Sequence, residues 1–169
     1  ASLATTFNNP VTANNTVVVA ISSWRNTATC PMTGGNVVDS KGNTYTQVTE
    51  VTSTTGCVSI WYGRAVTGGS SFSVTVTTPS STLYSMTVGI HEYRGIISVS
   101  PVDKFVSATG SSNLPNSGNM ASTANANDLI FGAFTQMSGA SVVGTPGANF
   151  SLRTDQPTGA VAEALYTED

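Results

Sequence analysis

Short runs in which apolar residues alternate with small hydroxyl residues recur along this chain, and that period admits one kind of backbone. Val74-Thr75-Val76-Thr77 and Tyr84-Ser85-Met86-Thr87-Val88 are the clearest cases. An alternation of two places every second side chain on one face, which suits a half-buried strand and has no use in a helix. The polar partners are Thr and Ser rather than Lys and Glu, so charged residues make up only 9% of the chain. The pattern predicts an all-β protein.

A walk along the chain gives nine or ten strands at regular spacing and no helix of conventional length. Thr16–Trp24 reads as a central strand, because Val17-Val18-Val19 leaves no polar face. Asn26–Gly35 is loop-like. Asp39-Ser40-Lys41-Gly42-Asn43 is a hairpin or tight bend, since Asp, Gly and Asn each tolerate turn geometry. Further strands are read at 58–64, 72–77, 83–94, 128–136, 150–154 and 160–166, with a weaker one at 102–107 beyond Pro101. The stretch 108–127, rich in Gly, Ser and Asn, reads as a long loop with at most a short edge strand. Residues 160–164 also have helical propensity, but nothing caps a helix there and strand is preferred. Strands so spaced predict one antiparallel β-sandwich domain over residues 1–169, jelly-roll-like, with two stacked layers.

Composition bounds the function. A net charge of -3 and six scattered Lys and Arg residues form no basic stripe, which argues against a nucleic-acid partner. No apolar run approaches the roughly 20 residues of a membrane span. Cys30 and Cys57 are each next to a strand-like run and are expected to pair, stabilising by roughly 3–4 kcal/mol through loop closure; the alternative is two buried thiols. With so many Thr, Ser and Asn, an oxidising extracellular setting fits best. The chain opens at Ala1-Ser2-Leu3 without a signal peptide, and removal of an upstream segment is the expectation. Asn14 and Asn149 head glycosylation sequons, a triplet that also arises by chance in such a composition.

Several segments occur together and in order: Val17-Val18-Val19-Ala20, Asp39-Ser40-Lys41-Gly42-Asn43-Thr44-Tyr45-Thr46, Ile60-Trp61-Tyr62, Val74-Thr75-Val76-Thr77, Glu92-Tyr93-Arg94-Gly95 and Asp128-Leu129-Ile130-Phe131-Gly132. As a set they resemble an Ig-like or jelly-roll β-sandwich module of secreted, multidomain bacterial proteins. The resemblance spans most of the chain and implies a structural module with no assigned activity. Such modules usually run on past the position of Glu168-Asp169 into a further apolar strand. Either this chain is a fragment, or another molecule supplies that strand to an open sheet edge.

Candidate chemistry is sparse. His91 is the single histidine, which rules out a two-histidine zinc motif, and no Gly-x-Ser-x-Gly elbow supports a serine triad. Glu92 shares a strand face with Tyr84, Met86, Val88 and Ile90, and Arg94 is its nearest partner for a structural ion pair. The alternative role is a general acid, with Glu163 or Asp103 as the second carboxylate of a glycoside hydrolase. Trp24, Trp61, Tyr62 and Tyr93 are candidate glycan contacts, with Trp61 facing outward if Val58, Ile60 and Tyr62 form the core face; burial beside the disulfide is the competing role. Asp39, Asn43, Asp103 and Asp128 offer oxygen ligands for a structural Ca²⁺, although Asp39 and Asn43 suit Asx-type turn bonds better. No cofactor is called for. Three functions follow: a non-catalytic extracellular module for adhesion or carbohydrate binding, a subunit of a surface filament assembled by strand sharing, or a glycoside hydrolase. The first would need a glycan or cell-surface polymer as partner, the second other copies of itself.

Overall fold

The computed structural model describes residues 1–24, 30, 32, 36–54, 56–79, 84–112, 114–136, 144–157 and 163–169. Among them are ten strands and no helix: β1 Ser2–Thr6, β2 Thr16–Trp24, β3 Asn36–Asp39, β4 Thr46–Thr52, β5 Gly56–Gly63, β6 Ser73–Thr77, β7 Ser85–Tyr93, β8 Gly132–Gln136, β9 Leu152–Pro157 and β10 Ala164–Glu168. They form three antiparallel sheets, ordered β1-β6-β3, β4-β5-β2-β7 and β8-β10-β9. Two layers were expected; three sheets are found. The reason lies in the four-stranded sheet, which is covered on both faces.

Strand β2 shows how. Alternate residues Val17, Val19 and Ile21 enter an apolar core with Val74 and Val76 of β6, Val37 of β3 and Phe72, and Met86, Val88 and Ile90 of β7 pack against it. The opposite face contributes Ala20 to a second, smaller cluster with Val58 of β5 and Leu165 of β10, edged by Val51, Phe131 and Ala133. A strand buried on both sides needs no polar face, which accounts for the unbroken valine run. Each aliphatic side chain so removed from water contributes roughly 1.5–3 kcal/mol.

The second face is built differently. Ser22 and Thr135 hydroxyls meet at 2.5 Å, and Ser85 donates to the Glu163 carboxylate. Gly89 lies directly under this layer, where an added Cβ would come within 3.2 Å of Thr154 Oγ1 and 3.6 Å of Leu165 Cδ2. Small residues on β2 and β7 therefore let β9 and β10 approach closely, and hydroxyl pairs replace much of the apolar contact.

Cys30 and Cys57 form a disulfide spanning 27 residues. The Asp39 segment is a bend, not a hairpin, since β3 and β4 belong to different sheets. Asp39 Oδ1 accepts from the Lys41 and Asn43 backbone N–H groups at 2.8 and 3.1 Å. Its Oδ2 accepts from Asn43 Nδ2 at 2.8 Å and the Tyr45 hydroxyl at 3.0 Å. Asn43 Oδ1 accepts from Thr67 N at 2.7 Å, tying the bend to the next loop, while Gly42 takes the left-handed φ of +78°. The Asx-type bonding expected of Asp39 and Asn43 is thus present.

Several boundaries differ from the sequence reading. Strands β1 and β4 were not anticipated: Ser2–Thr6 is short, and 46–52 is polar except at Val48 and Val51. The strand at 128–136 starts only at Gly132, with Leu129 and Ile130 exposed before it. Residues 102–107 form no strand; Asp103 accepts instead from the Ala124 backbone N–H at 2.6 Å, and Ser100, at a φ of 48°, and Pro101 precede the segment. Of 160–166, the described residues are 163–166, and the strand reading holds over Ala164–Tyr166 but not at Glu163. Most of the 26–35 loop and the first half of the 139–148 loop lie outside the described residues.

Replacing Asp39 by Ala removes four acceptor contacts and leaves the buried Tyr45 hydroxyl without that partner. Urea denaturation should show a loss of about 2–4 kcal/mol, with the m-value unchanged.

Candidate functional site

Strand β7 is the longest edge strand of the described sheets. Over nine residues it pairs, among the described residues, with β2 alone, from Thr16↔Tyr93 to Trp24↔Ser85. A strand with one neighbour carries a row of N–H and C=O groups on its other side that are not satisfied by the sheet. Beside this free edge runs a groove. One part, of about 450 Å³, is lined by Met86, Thr87, Val88, Gly89 and Ile90 of β7, by Leu3 and Thr5 of β1, and by Thr154 of β9. The next, of about 440 Å³, shares Ile90 and continues past His91, Glu92 and Tyr93, with Phe7, Arg153 and Asp169 opposite. The groove lies where the edge strands of the two outer sheets, β1 and β9, flank β7.

Alternation along β7 gives the groove two walls of different character. Met86, Val88 and Ile90 point to the larger core and, with Leu3, make an apolar wall. Thr87, Gly89, His91 and Tyr93 face β8–β10. His91 Nε2 lies 3.1 Å from Thr167 Oγ1 and 3.4 Å from Thr154 Oγ1, with its ring 5.2 Å from that of Phe131. Tyr93 donates its hydroxyl to the Asp169 carboxylate, which also holds Arg153 at 2.7 Å. Burial, followed by the bond to Asp169 and its charge, pushes the Tyr93 phenol well above its usual value. Burial is also the chief reason the His91 imidazole falls to about 4, outweighing Asp169, which raises it, and adding to Arg153, which lowers it.

Glu92 holds the chain before β2. Its Oε1 accepts from Thr12 N at 2.8 Å and from Asn15 Nδ2 at 2.6 Å. The ion pair expected with Arg94 is not formed: among the described residues the ion pairs are Lys104–Asp103 and Arg153–Asp169. Nor does the structure bring Glu92 and Glu163 together as a carboxylate pair. Glu163 touches Ser85 at the opposite end of β7 from Glu92. Seven residues of strand separate those ends by roughly 23 Å, against roughly 5–9.5 Å for the two carboxyls of a glycosidase. Asp103 is exposed and accepts from Ala124 N at 2.6 Å.

The four aromatic candidates do not share a surface. Trp61 does not face outward. It is half-buried against the larger core, its indole N–H donating to Ser59 Oγ at 3.2 Å, because β5 is covered on both sides. Tyr62 occupies the other face of β5, opposite Val18 and Thr46. Tyr93 is wedged between sheets beside His91 and Phe131. Trp24, at the far end of β2, packs on Tyr84 with ring centroids 4.7 Å apart, and Tyr84 is 62% exposed, contrary to its expected core direction. Asn14 and Asn149 are exposed, each in a left-handed conformation.

Of the oxygen-ligand candidates, Asp39 and Asn43 bond to each other within the bend, whereas Asp128 accepts from Asn125 N at 3.3 Å. Among the described residues no three His, Cys, Asp or Glu side chains gather as a metal site, and no helix is long and apolar enough to cross a membrane. The groove's flanking residues Leu3, Thr5, Arg153, Thr154 and Asp169 carry no local motif. Only the strand order brings them to β7. Comparison with family models, curated proteins and solved structures finds no match to this chain.

His91 is neutral in the folded chain and protonates in the unfolded chain near pH 6.5. Its contribution to stability is therefore complete above pH 6.5 and declines as the pH falls to about 4. The difference in unfolding free energy between the parent and His91→Asn should shrink across that window by up to about 3 kcal/mol, read from denaturation curves at successive pH values. A pH-independent difference would remove this assignment.

Proposed function

We propose that this protein is a non-catalytic extracellular module that joins its partners by accepting a β-strand at the free edge of β7. One observation carries this reading: among the described residues a nine-residue strand has a single neighbour, and both grooves lie along its other side. An added strand would satisfy the outward N–H and C=O groups of β7 and set its alternate side chains against the apolar and hydroxyl-bearing walls. The low charge of the chain supports close packing, since self-repulsion is weak. The disulfide supports an extracellular setting.

Natural sheets blunt such an edge with charge, proline or a bulge. Between Met86 and Ile90 the chain carries none of the first two, and its pairing with β2 has no register shift. An edge left undefended over Met86–Ile90 is what a strand acceptor requires.

A second reading, carbohydrate binding, is favoured by the Trp24–Tyr84 pair, where one aromatic ring is backed by another and left open to solvent. It predicts that Tyr84→Ala abolishes retention on glycan arrays without altering the melting temperature. Equal retention by the two proteins would dismiss it.

The strand-addition reading is tested with a synthetic octapeptide of alternating Val and Thr. Saturable binding is expected, with slowed hydrogen exchange at β7 amides. Thr5→Arg, which fills the groove from β1, should weaken that binding at least tenfold while shifting the melting temperature by only a few degrees. An octapeptide that leaves β7 exchange unchanged would end the proposal.

A further inference from the structure

The β8-β10-β9 sheet differs from the other two in how the chain builds it. Its three strands are consecutive in the described chain, and one connection, 94–131, leads into it from β7. The β1-β6-β3 sheet is interleaved instead. There β3 lies between β2 and β4 in the chain, and β6 between β5 and β7, so it cannot leave the four-stranded sheet without pulling on those strands. Nor does a disulfide hold the β8-β10-β9 sheet down, since the chain's two cysteines join 30 to 57.

This sheet also has packing of its own: the Phe134 and Tyr166 rings stack within it at 4.6 Å. Alternation turns Glu163, Leu165 and Thr167, with Ala133 and Thr135 of β8, toward the four-stranded sheet. The buried apolar cluster on that side is small, made of Ala20, Val58 and Leu165. Hydroxyl, imidazole and carboxyl groups supply the rest, and two of those groups titrate.

We propose that the β8-β10-β9 sheet is a cover that lifts from the four-stranded sheet as a unit, and that ionisation of Glu163 releases it. Glu163 is 1% exposed. Its carboxyl accepts from Ser85 of β7 and from Ser22 of β2, whose hydroxyl also meets that of Thr135. Both donors are neutral. Burial holds the carboxyl above its usual range, and the two hydroxyls offset only part of that. In the lifted state the solvated carboxyl ionises near pH 4.5, whereas under the cover it keeps its proton to higher pH. Closure therefore weakens as the pH rises from 4.5 through the docked pKa.

His91, at the other end of β7, acts in the opposite sense. Thr154 of β9 and Thr167 of β10 bond to it, and Asp169 and Arg153 are the charges that face it; the neighbouring Tyr93 phenol is tied to Asp169. Its contribution to closure falls as the pH drops from 6.5 to about 4. Both ends of this one interface must be neutral for it to close dry. Lifting would carry Arg153, Thr154 and Asp169 away from the slot beside β7 and uncover Ala20, Ser22 and Gly89. Cover opening does not depend on strand addition at β7.

Native-state hydrogen exchange of the full chain, corrected for the pH dependence of amide chemistry, reads this opening. Amides of β8, β9 and β10 should share an opening that leaves those of β2 and β5 protected. The open fraction of the parent relative to Glu163→Gln should rise at least fivefold between pH 4 and pH 8; a docked pKa only one above the lifted value gives about eightfold. Both proteins carry His91, so its contribution cancels in that ratio. Ser85→Ala keeps the carboxyl but removes a donor to its charged form, so its open fraction should climb more steeply than the parent's. If Glu163→Gln does not fold, the Ser85→Ala comparison decides alone. A flat ratio, or a Ser85→Ala slope no steeper than the parent's, overturns Glu163 as the release. Amides of β8–β10 that exchange only together with those of β2 overturn the cover itself.

Discussion

Burial of the four-stranded sheet on both faces is the constraint from which the rest of this structure follows. A sheet covered on one side can keep a hydroxyl face for water. Here β2 gives Val17, Val19 and Ile21 to one core and Ala20 to another, so both of its faces must be dry or paired. The two faces answer that demand differently. The larger core uses aliphatic volume, whereas the smaller interface uses close approach over Ala20, Ser22 and Gly89 together with hydroxyl and carboxyl contacts. The second solution is narrower in tolerance, because every hydroxyl placed there needs its partner.

The same constraint sets the character of the β7 edge. The strand belongs to a sheet held between two others, so its open side is a slot flanked by β1 and β9 rather than an exposed margin. The walls of the slot are continuations of the two interfaces. One is apolar, as the larger core is, and the other bears the Thr, His and Tyr groups of the smaller. An incoming strand therefore meets a surface already divided by side, which fixes which of its faces turns which way. Glu92 and Asp169 both serve to fasten adjacent chain at the end of this slot, through Thr12 and Asn15 in one case and Tyr93 and Arg153 in the other. Carboxylates committed to such bonds act as anchors.

Local pattern carried much of the fold. Thr16–Trp24 was legible to the residue because nine consecutive positions lack charge, Gly, Pro, Asn and Asp. The Asp39 bend was legible because its bonds close within six residues. Strands β1 and β4 escaped notice because their alternation is short or polar, and pairing with β6 and β5 decides them. The opposite error at 102–107 has the same origin: a strand-like composition is a propensity, and here the segment forms no strand. An outward Trp61 depended on one face of β5 being dry and the other wet, a condition that fails where both are covered, and the competing buried placement is the one found.

The candidate site was far less legible than the fold. Nothing in Leu3, Thr5, Arg153, Thr154 or Asp169 marks them as neighbours of Met86–Tyr93, and they are far away in the chain on either side. Sequence by itself determined that this chain is all-β, because a period of two in apolar and hydroxyl residues is a property of each short run. It also led to the expectation, with two buried thiols as the alternative, that Cys30 and Cys57 pair, and the structure shows them joined. Only the tertiary structure decided that there are three sheets, that β7 stands at an edge, and that the edge opens into a slot. Those are facts about which strand lies beside which, and strand order depends on contacts between distant segments that no local pattern encodes.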